Sequence, residues 1–74
     1  MQIYELQARY DARQSFYGKA HVIDHENGVI ELQSYQTIVA RIENGKVVQA
    51  DLGVYSQTTN RHIREFLKQF GGEA

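Results

Sequence analysis

Two hydroxyls, a carboxamide, a guanidinium and an imidazole follow one another in the run Thr58-Thr59-Asn60-Arg61-His62. An imidazole beside hydroxyls is raw material for general-base chemistry, because it takes up a proton near neutral pH. His62 with Thr58, Thr59 and Asp51 can be drawn as a minimal catalytic site. The drawing is cheap, since a chain with three histidines permits several. Cysteine is absent, and no serine stands in a strand–turn–helix elbow. Acid–base work by two carboxylates needs a converging pair, and the acidic residues are scattered over the whole chain. The sequence therefore reads as non-enzymatic and without a cofactor. A minimal enzyme around Thr58, Thr59, Arg61 and His62 is the alternative, and it requires all four to converge in one concavity. The plainer reading of His62 is a ring that hydrogen-bonds the strand beneath its helix.

Metal chemistry finds less support. His21 and His25 are four apart, but the surrounding alternation makes this a strand and a turn, so the helical H-x-x-x-H geometry does not arise. No tetrahedral ligand set is spaced along the chain, and no glycine-rich loop is present to cradle phosphate.

Binding chemistry has two candidate surfaces. Arg61, Arg64 and Lys68 recur at helical spacing and form one cationic stripe, which Glu65 can partly neutralise from one turn after Arg61. Such a stripe is usually a solvated helix face; here it is also a candidate contact for phosphate or an acidic protein. The second surface combines Tyr17, Lys19, Tyr35 and Arg41 with His21, Gln33, Thr37 and Gln49 on the odd-numbered side of a sheet. Aromatic rings among cations and amides suit stacked bases or a protein partner. Ile23, Val39 and Val47 share that parity, which points to a buried interface rather than a bare solvent face. Tyr55 joins the candidates at the head of the helix.

These side chains need elements to hold them. Alternation predicts strands over residues 2–10, 15–24, 29–34, 36–42 and 46–54, with residues 33–37 either a turn or a bend. Val22, Ile30, Leu32, Ile38, Ala40, Ile42, Val48, Ala50, Leu52 and Val54 are all even-numbered and predict one core face. Glu26-Asn27-Gly28 and Glu43-Asn44-Gly45 then read as three-residue loops. A loop of odd length pairs even with even positions, so Val22 should face Leu32 and Ala40 should face Val48. Glycine would fill the left-handed position that closes each loop. Ile63, Phe66, Leu67 and Phe70 predict a helix over 57–70, capped by Ser56, Thr58 or Thr59 and closed near Gly71, with 71–74 a tail. The expected fold is α+β: an antiparallel sheet of four to five strands, with two Glu-Asn-Gly hairpins, packed by one C-terminal helix.

The chain has 74 residues, a single-domain length, with eight Lys and Arg against nine Asp and Glu. A net charge of −1 argues against a protein that lives on phosphate backbones. No apolar run approaches the roughly 20 residues of a membrane span, and the N-terminus lacks a signal-peptide pattern. The expectation is a soluble cytoplasmic protein. A domain this small usually gains a disulfide, a metal or a partner subunit; with no cysteine and no metal set, a homodimer is expected.

Three segments, SFYGKA at 15–20, LQSYQTIVA at 32–40 and YSQTTNRHIREFLKQ at 55–69, resemble a group of very small uncharacterised proteins of phages, prophages and mobile elements of Gram-positive bacteria. Their C-terminal pattern reads Y-S-x-T-T-x-R-H-I-x-E-F-L, and Tyr55, Ser56, Thr58, Thr59, Arg61 and His62 match it. The resemblance implies an accessory protein in a bacterial host cell. Such proteins commonly bind and modulate one host or phage protein, CRISPR-type defence nucleases included. The leading expectation is thus a protein-binding module. The alternative is a nucleic-acid-binding domain using the Arg61/Arg64/Lys68 helix face or the Tyr17/Lys19/Tyr35/Arg41 sheet face.

Overall fold

The computed structural model describes residues 1–7 and 18–71. Five strands, β1 (Gln2–Glu5), β2 (Ala20–Asp24), β3 (Val29–Ser34), β4 (Thr37–Glu43) and β5 (Lys46–Ala50), form one antiparallel sheet in the order β1-β2-β3-β4-β5. One helix, α1 (Gln57–Phe70), closes the described chain and lies over β3 and β4. The expected α+β architecture is present. Three strands are shorter than alternation suggested. β1 stops at Glu5, although the Leu6 amide still donates to Ala20 O at 2.9 Å. β2 begins only at Ala20, after Gly18 turns the chain at φ +70°. β5 ends at Ala50, because the Val54 amide bonds back to Asp51 O at 3.3 Å and Gly53 takes φ +81°. The expected strand residues 8–10 and 15–17, and the tail residues 72–74, lie outside the described residues.

The core lies between the sheet and α1. Leu6, just past β1, and Ala20, Val22, Leu32, Ala40 and Ile42 of the sheet form the buried core with Ile63 and Phe66 of the helix. Each fully buried side chain of the larger kind stabilises by about 1.5–3 kcal/mol, so the stripe on α1 fixes which face it turns down. Ser56 caps the helix: its Oγ accepts the Thr59 amide at 3.3 Å. At the other end Gly71 donates its amide to Leu67 O at 2.8 Å, with ordinary right-handed backbone.

Register departs from simple parity in two places. The β2–β3 hairpin keeps it: Val22 faces Leu32 and three residues, Glu26-Asn27-Gly28, span the loop between His25 and Val29. Glu26 is itself left-handed at φ +61°, so this loop is not the type I turn plus glycine expected. Residues 33–37 form a turn, with Ser34 paired to Thr37 around Tyr35 and Gln36. Between β3 and β4, Leu32 faces Ala40 while Gln33 faces Ile38, so Val39 is an extra residue and drops into the core. The second Asn-Gly loop is a two-residue turn, with Glu43 opposite Lys46 and both Asn44 (φ +52°) and Gly45 (φ +80°) left-handed. That is the type I′ requirement, and it matches the twist of the strands it joins. The turn puts Val47 opposite Ile42; the strand then inserts Val48 as a bulge before Gln49 meets Arg41. Ala40 therefore faces Ala50, and the expected Ala40–Val48 pair does not exist. Val48, Leu52 and Val54, expected in the core, are exposed.

Candidate functional site

The residues of the minimal catalytic drawing are divided between core and surface. His62 is completely buried, and its Nδ1 shares a 2.9 Å hydrogen bond with Ser34 Oγ on β3. Ser34 Oγ lies 3.1 Å from Thr59 Oγ1, and Thr59 Oγ1 accepts from Ser56 Oγ at 3.4 Å. Ser56, Thr59, Ser34 and His62 thus form a chain of polar groups from the helix cap into the sheet. Thr58 and Arg61 are half-buried. The convergence in a solvent-facing concavity that the minimal enzyme needs is not met by a ring sealed beneath its own helix. A serine beside a histidine is the start of a nucleophile pair, but Ser34 is itself buried with the ring. The network satisfies polar groups that burial would otherwise penalise.

The helix face and the sheet face also differ from expectation. Arg64 and Lys68 are exposed as expected. Glu65, one turn after Arg61, is only 2% exposed, with its Oε2 accepting from Gln69 Nε2 at 2.6 Å. On the sheet, Arg41 donates from Nε to Glu43 at 2.7 Å and from Nη1 to Glu31 at 3.3 Å, and Glu31 also meets His25 Nε2 at 2.6 Å. The Glu43 hydrogen bond, ahead of the Coulombic pull of both carboxylates, moves the guanidinium pKa further up. Arg41 is therefore engaged within the sheet. Tyr35 does not share its face. The left-handed turn at φ +57° brings the Tyr35 ring to 6.1 Å from the His62 imidazole, on the helix side. Val39 and Val47 also leave the odd face: Val39 is buried in the core and Val47 packs against it. Lys19 is exposed beside the Gly18 turn, and Tyr17 lies outside the described residues. No cluster of three metal-ligating side chains occurs among the described residues.

One surface was missed. Val48 (49% exposed), Leu52 (43%), Val54 (66%) and Tyr55 (45%) form an apolar set along β5 and the segment leading to α1. The Asn60 carboxamide holds this segment, accepting the Gly53 amide on Oδ1 at 2.8 Å. Gly53, between Leu52 and Val54, is the signal that could have ended the strand early.

A family model matches residues 4–74. The chain belongs to DUF8033, a family of unknown function. No curated protein and no solved structure matches it. Membership in DUF8033 thus assigns the described geometry to a family without assigning it a reaction. Among the described residues no helix is long and apolar enough to cross a membrane.

Proposed function

We propose that this protein is a small non-enzymatic binding module that docks on and modulates another protein. The observation that carries the reading is the apolar set Val48, Leu52, Val54 and Tyr55, which is exposed while His62 is buried and Arg41 is paired within the sheet. Exposed apolar side chains grouped on a restrained segment are a common mark of a protein contact. The resemblance of Tyr55–Gln69 to phage and mobile-element proteins supports a host or phage target in a bacterial cytoplasm, a defence nuclease among the candidates. The experiment is retention of proteins from a nuclease-treated lysate of a Gram-positive bacterium on the tagged full chain. A discrete partner retained at physiological salt supports the reading. Retention of nothing, or only of material lost with nuclease, overturns it.

A homodimer belongs to the same proposal. β1 is an edge strand without a bulge, and Met1, Ile3 and Tyr4 are exposed along it. Among the described residues no further strand pairs with this edge, and such an edge is a template for a second strand. Sedimentation that finds only the monomer mass at micromolar concentration removes this part.

The second reading is nucleic-acid binding, favoured by an exposed helix face that carries Arg64 and Lys68 without a surface acid. It requires affinity that falls steeply with salt.

A further inference from the structure

The helix lies over β3 and β4, and two contacts relate it to β5 and the segment that follows. Near the start of α1, Asn60 Oδ1 holds the Gly53 amide at 2.8 Å. Near its end, Gly71 lies against β5, where an added β-carbon would come within 3.2 Å of Val47 Cγ2. Asn60, Arg64, Leu67 and Gly71 recur at helical spacing, so they share the flank of α1 that carries both contacts. Exposed Arg64 stands on this flank one turn after Asn60, and exposed Lys68 follows one turn later. Asn60 in turn holds Gly53, between the exposed Leu52 and Val54 and beyond the exposed Val48. The result is a ledge with an apolar floor and a cationic upper rim.

The fully exposed charges on this side are the cations Lys46, Arg64 and Lys68. From Lys46 to Phe70 the chain has four cations, Lys46, Arg61, Arg64 and Lys68, and two acids, Asp51 and Glu65. Neither acid is exposed: Glu65 is buried, and half-buried Asp51 accepts from Gln49 Nε2 at 3.1 Å. The chain as a whole is at −1, so the acid excess lies outside residues 46–70; Glu43, half-buried and opposite Lys46, is held by Arg41.

We propose that this ledge docks a protein segment that presents carboxylates beside apolar side chains. The inference rests on the protein-binding reading above and names its site and its partner's chemistry. A second copy of the chain fits poorly, because a two-fold axis through the ledge would set Arg64 and Lys68 against their own images. Single-stranded nucleic acid, for which Tyr55 is the one exposed ring on this segment, is an outcome of the test. Docking proceeds through side chains rather than by strand addition, since the Val48 bulge interrupts the ladder edge of β5.

The test pans the immobilised full chain against a random peptide library, then titrates the enriched peptide into labelled protein. Enrichment of Asp and Glu together with Leu, Ile or Phe is expected, with amide shifts confined to residues 46–55 and the Arg64 flank. Arg64→Glu should weaken the peptide about tenfold or more, as loss of a charge-complementary contact does; Leu52→Ser or Val54→Ser should weaken it comparably. Both kinds of substitution are on exposed positions, and unchanged melting confirms folded variants. The proposal is overturned by an empty library, by enriched peptides without acids, by equal binding to all variants, or by tighter binding of oligo(dT) or phosphatidylserine vesicles than of any peptide. Should a cellular partner be retained equally by the Arg64→Glu and Leu52→Ser variants, the ledge is not its site while the protein-binding reading stands.

Discussion

The carboxamide of Asn44 fills the space that a side chain on Gly28 would need: an ideal β-carbon there would clash with Asn44 Oδ1. The backbone ties the same two residues, since the Asn44 amide donates to Gly28 O at 2.7 Å. The β2–β3 and β4–β5 turns are thereby stacked at one end of the sheet. Gly28 also sits at φ +91°, where only glycine is unstrained.

Gly28→Ala should therefore cost more than Gly45→Ala. Both replace a left-handed glycine, at roughly 1–3 kcal/mol for such backbone strain. A methyl group on Gly45 would meet nothing within 4 Å, whereas one on Gly28 would also expel the Asn44 side chain. For a domain of this size each 1 kcal/mol lowers the melting temperature by about 4–8 °C. Calorimetry of the two variants ranks them, and equal losses would show that the stacked turns contribute nothing.

The Ser34–His62 hydrogen bond should contribute to stability rather than to turnover. Ser34→Ala leaves His62 Nδ1 and Thr59 Oγ1 without their shared hydroxyl in a buried site, at about 1–3 kcal/mol. Thr59→Ala removes the next link, and the double variant should lose less than the two single losses combined, because the groups belong to one network. Urea unfolding of the three proteins measures this; strict additivity would break the network into independent contacts.

How much of this is legible in the residues alone depends on the element. The helix is readable because Ile63, Phe66 and Phe70 repeat with its period, and Ser56 is among the expected caps. The same wheel places Thr59 and His62 on the apolar side with Ile63 and Phe66, so their burial is available to helical periodicity. Their chemistry drew attention instead. The sheet is misread where strands insert a residue. Parity survives only in a regular ladder, and the bulges at Val39 and Val48 each reverse it. Asn44-Gly45 favours the correct two-residue turn by its own preference, and the even-numbered pattern overruled it. Unbroken parity makes Leu52 and Val54 read as strand interior, so their exposure is not legible from alternation.

Tyr4 contributes a pH dependence at the alkaline end. Partial desolvation of its half-open phenol first, and the Asp24 carboxylate second, hold it above the ordinary tyrosine pKa of about 10. A raised folded pKa means that the folded state keeps its proton longer than the unfolded chain. The associated stability is fully present below about pH 10 and declines as pH rises through the folded value. Denaturant unfolding across this alkaline window should show a smaller decline for Tyr4→Phe than for the native chain. An identical decline would assign the alkaline loss to other groups.

Deleting Val48 tests the bulge itself. The ladder on either side is regular, with Ile42 opposite Val47 and Arg41 opposite Gln49, so removal joins two segments already in register. The variant should fold with the same sheet and the same helix contact, losing at most about 1–2 kcal/mol from adjustment of the Asp51–Tyr55 segment, within the range of ordinary single changes. Its edge changes more than its core. A straight β5 offers an uninterrupted row of backbone donors and acceptors, and bulges are one device that keeps such rows from pairing. Light scattering should therefore show concentration-dependent association that the native chain lacks at the β5 edge. Adding Val47→Lys would confound the result, because Val47 packs on the core; Ala50→Lys, on an exposed position, should suppress the association. If the deletion unfolds the protein outright, the bulge is part of the fold and not an edge device.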